Sequence, residues 1–174
     1  MYRAQVKEIS GAIPATTNNR MEILAAMRAL GALKEPCAIE FFTDSEYLRV
    51  GITQHVKLWK RTGWKTKQKE PVKNKDLWAV LDQLTVGHQI TWTWLKGHAG
   101  HAENERCDLL ARQAIGQLKK QHTPEQLGKF LQEFKRGGPS ISGAGMNGVE
   151  MQPLGTPEGF RSSAQGCGAQ ATLG

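Results

Sequence analysis

Paired cysteine motifs are absent from this sequence. Cys37, Cys107 and Cys167 are far apart, and no C-x-x-C pair exists to build a zinc knuckle or a disulfide framework. They read as small, inert thiols in a reducing compartment. Long apolar runs are also missing. No stretch approaches the roughly 20 residues of a membrane-spanning helix. The opening Met1-Tyr2-Arg3-Ala4-Gln5-Val6-Lys7 has no apolar block of signal-peptide length. The reading is a cytoplasmic protein without a membrane segment. Acidic residues are scarce: 16 Asp and Glu against 23 Lys and Arg leave a net charge of +7. Such a surplus suits a polyanionic partner. Charge of either sign nearly vanishes after Gly137, where only Glu150, Glu158 and Arg161 remain. That stretch is rich in Gly, Ser, Pro and Ala, has little to bury, and is expected to be a disordered tail.

The rest suffices for one domain with extensions. Tyr2, Ala4 and Val6 alternate with Arg3, Gln5 and Lys7, the period of a strand that Gly11 and Pro14 end. Ile23, Met27 and Leu30 form one stripe of a helix starting near Arg20. Ala38–Thr43 reads as a short apolar strand ending at Asp44-Ser45, with a short helix over Glu46–Ile52. Gln54–Arg61 continues as a basic helix broken at Gly63. Asn74 is placed to N-cap a helix through Leu84, closed by Gly87. Ile90, Trp92 and Trp94 alternate in another strand. The loop Gly97–His101 leads to a helix over Glu103–Lys120. Thr123, Pro124 and Gln126 then announce a further helix, whose apolar stripe is Leu127, Phe130, Leu131 and Phe134.

Three carboxylates stand out. Glu22 lies in Thr16-Thr17-Asn18-Asn19-Arg20-Met21-Glu22. Asp44 ends a strand in Phe42-Thr43-Asp44-Ser45. Asp108 closes His98-Ala99-Gly100-His101-Ala102-Glu103-Asn104-Glu105-Arg106-Cys107-Asp108. Each has a local explanation. Glu22 can complete a capping box with Asn19, Asp44-Ser45 can cap a helix, and Asp108 can be a solvated helical residue. Their conjunction, in this order, resembles the type 1 ribonuclease H family over about Tyr2 to Ala114. The resemblance implies an α/β fold: a ribonuclease H-like mixed sheet flanked by helices, here residues 1–121. A separate C-terminal helix, 122–136, and the tail, 137–174, follow.

The same resemblance implies an endonuclease that cuts the RNA strand of RNA–DNA hybrids, independent of sequence. Mg²⁺ is the implied cofactor, with Mn²⁺ able to substitute. Two divalent ions roughly 3.5–4 Å apart can serve both ends of an in-line phosphodiester displacement, and Mg²⁺ takes hard oxygen ligands. Glu22, Asp44 and Asp108 would be the metal ligands, and His98, between Gly97 and Gly100, would assist proton transfer or product release. His101 is left as structural. Thr17, Asn18, Asn19, Arg20 and Asn104 match positions that contact the hybrid; short polar side chains there can test the 2′-hydroxyl. Trp59, Lys60, Arg61, Trp64 and Lys65 resemble the family's basic protrusion, in which cations meet phosphates beside planar rings. Trp78 is assigned to the core. A monomer is expected.

One departure is expected. The family's first strand carries an aspartate before a Gly-rich turn, and nothing before Glu22 matches it; the only earlier acid is Glu8. The first strand and most or all of the second have no counterpart here. This would leave the edge of the Asp44 strand unpaired in mid-sheet. The alternative function is therefore a non-catalytic hybrid-binding module or an inactive remnant.

Overall fold

In the computed structural model, residues 7–96, 102–137, 162–163 and 168–173 are described. The strand expected at Tyr2–Val6 and the loop Gly97–His101 lie outside them. Helix α1 spans Asn18–Gly31 and opens under Thr17, whose Oγ1 accepts from the Arg20 N–H. Its buried stripe is Ile23, Leu24, Ala26, Met27 and Leu30. Strand β1, Ala38–Thr43, alternates as expected: Ile39, Phe41 and Thr43 are buried while Ala38 and Glu40 are exposed. Helix α2, Glu46–Val50, is capped by Ser45. A π-helical turn over Gly51–His55 joins it to α3, Val56–Arg61. Helix α4 is Lys75–Thr85 and strand β2 is Gln89–Trp94. Helices α5, Ala102–Gln121, and α6, Pro124–Lys135, follow. The predicted capping box of α6 forms between Thr123 and Gln126. Strands β3, Ser162–Ser163, and β4, Gly168–Leu173, come last.

The sheet order is β2-β1-β4-β3. β1 pairs in parallel with β2 from Ala38↔Gln89 to Thr43↔Trp94. On its other edge it pairs in parallel with β4, from Ala38↔Gly168 to Thr43↔Leu173. β3 is antiparallel to β4. Two expectations are corrected here. The far C-terminal stretch is not without regular structure, because its composition says little about pairing that β1 imposes from outside. Nor is the edge of β1 empty: β4 satisfies the row of N–H and C=O groups that would otherwise be unpaired. A third correction concerns Cys37, which is disulfide-bonded rather than an inert thiol.

The core lies between α1, α4 and the buried face of β1. Ile39 and Phe41 meet Ile23, Met27, Leu48, Leu77, Trp78 and Leu81. Trp92 of β2 tilts against Phe41, ring centroids 4.3 Å apart. A second aromatic group surrounds the fully buried Trp78, with Tyr47 at 5.5 Å and Trp59 at 5.8 Å. Asn74 begins α4 with φ of 58° and no side-chain cap bond, contrary to expectation. Its amide is taken elsewhere: Oδ1 accepts from Arg20, and Nδ2 donates to the Tyr47 hydroxyl. Arg20 also forks onto Asp76, Nη1 to Oδ1 at 3.1 Å and Nη2 to Oδ2 at 2.7 Å. The starts of α1 and α4 are thereby tied, which fixes the first turn of α1 and with it Glu22.

Gly51 begins the π-helical turn directly over the Trp78 ring. A Cβ there would lie 2.5 Å from Cζ2 and closer still to Cη2. Trp78 is fully buried and cannot retreat. Gly51→Ala is therefore expected to destabilise the protein by about 1–3 kcal/mol, the usual cost of overpacking, despite alanine's better helix propensity. Urea unfolding of the two proteins measures it; equal midpoints would show that the ring yields.

Candidate active site

The carboxyl end of β1 gathers the polar groups. In parallel sheets this end is where ligands bind, because loops there converge while the strands hold them rigid. Asp44 is the first residue past the strand. Its carbonyl accepts from the Trp94 indole N–H at 3.1 Å, and the Leu95 N–H donates to Thr43 at 2.9 Å, so β2 holds the strand end in place. Ser45 then does two things. Its Oγ accepts from the Leu48 N–H at 3.1 Å as the cap of α2, and donates to Glu22 Oε2 in a short hydrogen bond. Glu22, from the second turn of α1, is thereby fixed beside the Asp44-Ser45 corner. The capping box imagined between Asn19 and Glu22 does not form; Thr17 is the cap. Sequence reasoning missed the part played by Ser45, although a serine after a strand-ending aspartate was the available signal.

Asp108 is engaged differently. On α5 its Oδ2 accepts from Arg112 Nη2 at 2.9 Å, one helical turn on. Among the described residues no group of three or more His, Cys, Asp or Glu side chains is placed to hold a metal ion. The structure thus bonds Glu22 to Ser45, the residue after Asp44, and leaves Asp108 in an ion pair with Arg112. Two hard carboxylates at a strand end suit one Mg²⁺, which uses one or two protein carboxylates and completes its shell with water and substrate oxygens. They do not by themselves make a place for a second ion.

The remaining predicted residues divide clearly. Asn18 and Asn19 are exposed on the first turn of α1, near Glu22 in sequence and on the same helix end, and Thr17 is exposed as its cap. Arg20 is turned toward Asp76 and Asn74. Asn104 is buried on α5, and its Oδ1 has no hydrogen-bond partner among the described residues. His98 lies outside the described residues. Trp59 and Trp64 are half-buried against the Trp78 group, ring centroids 6.5 Å apart. Lys60, Arg61 and Lys65 are exposed around them, Lys60 reaching Asp82 at 2.7 Å. Tryptophan packing therefore anchors a segment whose cations face solvent.

Residues 1–116 match the profile of the RNase H family. The chain belongs to the RNase H family. Among its relatives, Ribonuclease H of Shewanella loihica is 62% identical over 113 residues, covering 65% of this chain and 72% of that protein. Ribonuclease H of Mesorhizobium japonicum is 54% identical over 119 residues, 68% of this chain and 67% of the relative. Ribonuclease HI of Vibrio cholerae is 58% identical over 113 residues, 65% and 72% respectively. Among solved structures, LC9-RNase H1, a type 1 RNase H with the type 2 active-site motif, shares 39% identity at a TM-score of 0.56. That likeness covers 61% of this chain and 51% of the other, so the chain spans about half of that molecule. A foamy viral protease-reverse transcriptase, solved with an RNA/DNA hybrid, shares the fold at 20% identity and a TM-score of 0.50, over 57% of this chain and 14% of its own. The RNase H fold expected from the motifs is thus shown. Glu22, Asp44 and Asp108 all fall inside the matched residues; α6, β3 and β4 lie beyond them.

Glu8 has a different task from the carboxylates at the β1 end. Its two oxygens take a fork from Arg106 on α5, Nε to Oε1 at 2.7 Å and Nη2 to Oε2 at 2.8 Å. The hydrogen bond from Arg106 holds the Glu8 carboxyl below the ordinary glutamate range. A depressed carboxyl contributes stability that is present above the unfolded pKa, near 4.3, and is lost as pH falls through the folded value. Glu8→Gln should therefore lower Tm slightly at neutral pH, the pair being partly exposed. The difference should close as pH drops below the normal glutamate range. A gap that persists in acid would assign it to packing instead.

Proposed function

We propose that this chain is an endonuclease that hydrolyses the RNA strand of RNA–DNA hybrids without regard to sequence. The observation that carries this reading is Glu22 held beside Asp44 through Ser45, at the carboxyl end of a parallel strand and inside the RNase H match. Glu22 and Asp44 would hold Mg²⁺, with Mn²⁺ able to substitute. When bound, paired ions supply an activated water and stabilise the leaving oxyanion. Asp108 is the third ligand in this reading. Its pair with Arg112 is exposed, 72% and 38% for the two side chains, and an exposed i,i+4 pair is worth only about 0.3–0.5 kcal/mol. Recruiting Asp108 to a cation therefore costs little.

The chain's other residues bind and orient. Exposed Asn18 and Asn19, with Thr17, would contact the ribose 2′-hydroxyls, which separate RNA from DNA. Lys60, Arg61 and Lys65 would meet phosphates, fixing register without reading bases. The Trp59–Trp64 packing holds those cations on a rigid base. Asn104 has a buried acceptor available, and His98 is assigned proton transfer or product release. A second reading, a hybrid-binding module that does not cut, is favoured by one observation: among the described residues no group of three or more His, Cys, Asp or Glu side chains is placed to hold a metal ion.

The two readings separate in one assay. The enzyme cuts a labelled hybrid in Mg²⁺ and spares double-stranded DNA, and Asp44→Asn removes at least a hundredfold of the rate with its unfolding curve unchanged. Hybrid binding with no Mg²⁺-dependent cutting selects the module. Near-normal turnover by Asp44→Asn would remove Asp44 from the site.

Replacing Lys60, Arg61 and Lys65 together with alanine should weaken hybrid binding and flatten its dependence on salt. Each lost phosphate contact lowers the slope of log K against log salt by about 0.9 on B-form duplex, so a clearly shallower line is expected. An unchanged slope would make these cations a solvated face only.

A further inference from the structure

Ser45 is buried at the carboxyl end of β1, and each of its polar groups is engaged. Its N–H donates to Thr43 Oγ1 at 3.1 Å, and its carbonyl accepts from the Arg49 N–H at 3.1 Å. Its hydroxyl accepts from the Leu48 N–H and donates to Glu22 Oε2. A serine hydroxyl has one proton to give. The Leu48 N–H can only donate, so that proton is directed at Glu22. The Thr43–Ser45 bond closes over Asp44, which lies between them in sequence. Glu22 reaches this corner from the second turn of α1 with Oε2 held, and its Oε1 has no hydrogen-bond partner among the described residues. A glutamate arm loses much rotamer freedom when it is fixed. Ser45 orders that arm from within the protein, before any ligand arrives.

We propose that Ser45 is a positioning residue for hybrid cleavage: its hydroxyl holds Glu22 Oε2 and leaves Oε1 for a divalent cation shared with Asp44. The proposal rests on the reading of Glu22 and Asp44 as Mg²⁺ ligands. Ser45 itself touches neither the cation nor the hybrid and acts through Glu22. Groups that orient a metal's ligands in this way contribute roughly 10–100-fold in metal affinity or activity. The same oxygen caps α2, which gives a rival account in which Ser45 only starts a helix. The two accounts differ in which substitution does harm. Glycine is nearly as good an N-cap as serine, whereas alanine is a poor one. Neither carries a hydroxyl. A capping role therefore spares Ser45→Gly, and a positioning role does not.

The intact chain, Ser45→Gly and Ser45→Ala are compared by thermal unfolding, by NMR titration of the protein alone with MgCl₂, and by cleavage of a labelled RNA–DNA hybrid. Below its melting range Ser45→Gly should bind Mg²⁺ about tenfold more weakly than the intact chain. Its kcat at fixed Mg²⁺ should fall by a similar factor while KM for the hybrid stays nearly unchanged, because Lys60, Arg61 and Lys65 are untouched. Excess Mg²⁺ should recover part of the rate. Ser45→Ala should show the same losses despite its weaker cap. Unchanged Mg²⁺ affinity and kcat in Ser45→Gly overturn the proposal, and so do losses that simply follow the order of melting temperatures. A further measurement needs no variant: in the Mg²⁺-free intact chain, scalar couplings should show Glu22 in one rotamer. Averaging over rotamers overturns the proposal, whether or not the variants fold. An intact chain that neither binds Mg²⁺ nor cuts removes the metal reading and the proposal with it, whereas an active intact chain with unaffected variants removes the proposal alone.

Discussion

Six residues, Ala38–Thr43, carry backbone hydrogen bonds on both edges and pack side chains onto a core, and the other elements take their places from them. β2 and β4 both run parallel to this strand in unbroken register. Its buried face, Ile39 and Phe41, receives α1 and α4, and its carboxyl end presents Asp44. Parallel pairing with strands on both sides suits a strand that is covered by helices. It also makes the strand end rigid, which the metal-binding role proposed for Asp44 would require. The fold and the site are one arrangement viewed from two ends of the same strand.

Polar contacts around that end are graded in strength. Ser45 joins Glu22 to the Asp44 corner while capping α2, so the site and a helix start share one hydroxyl. Arg20 and Asp76 form a fork with side chains only 13% and 17% exposed, braced by Asn74. Charge-assisted forks of this kind are among the stronger polar contacts, and this one sets the angle at which α1 delivers Glu22. By contrast, Asp108–Arg112 is a loose surface pair. Rigidity is thus concentrated on Glu22 and Asp44, and freedom is left to Asp108. Such a division suits a site completed by its ligand.

Much of this was legible in the sequence, for identifiable reasons. Ile23, Met27 and Leu30 repeat at helical spacing, Ile39 and Phe41 at strand spacing, and the Thr123–Gln126 box states a helix start outright; α1, β1 and α6 follow. The Asn-Asn-Arg-Met-Glu and Thr-Asp-Ser motifs pointed to Glu22 and Asp44. What escaped was non-local or locally unremarkable. The Glu22–Ser45 bond joins residues far apart in sequence. Asn74 looked like a cap but spends its amide on Arg20 and Tyr47. The Gly51–His55 π turn reads like any helix, and only the Trp78 ring beneath Gly51 gives that glycine a reason. β4, Gly-Ala-Gln-Ala-Thr-Leu, does alternate, with Ala169, Ala171 and Leu173 between Gly168, Gln170 and Thr172, but alanines are small and the surrounding Gly- and Ser-rich composition masks the signal. The Asp108–Arg112 pair stands at i,i+4 spacing in the sequence, and it fits the local reading of Asp108 as a solvated helical residue.

The order of synthesis gives the β1–β4 pairing a further meaning. Gly168 leaves the ribosome about 130 residues after Ala38, the residue it faces. At about 5–20 residues per second, the nascent chain spends roughly 6–26 seconds with β1 made and this neighbour still unmade. In the last part of that interval, once residue 116 is made, the RNase H-matched residues are all present, yet β1 still lacks its β4 neighbour. Every molecule passes through a stage with an open backbone edge, and neighbouring chains on one messenger pass through it together. The final strand therefore acts late, as the element that ends the period in which a nascent chain can pair with the wrong neighbour.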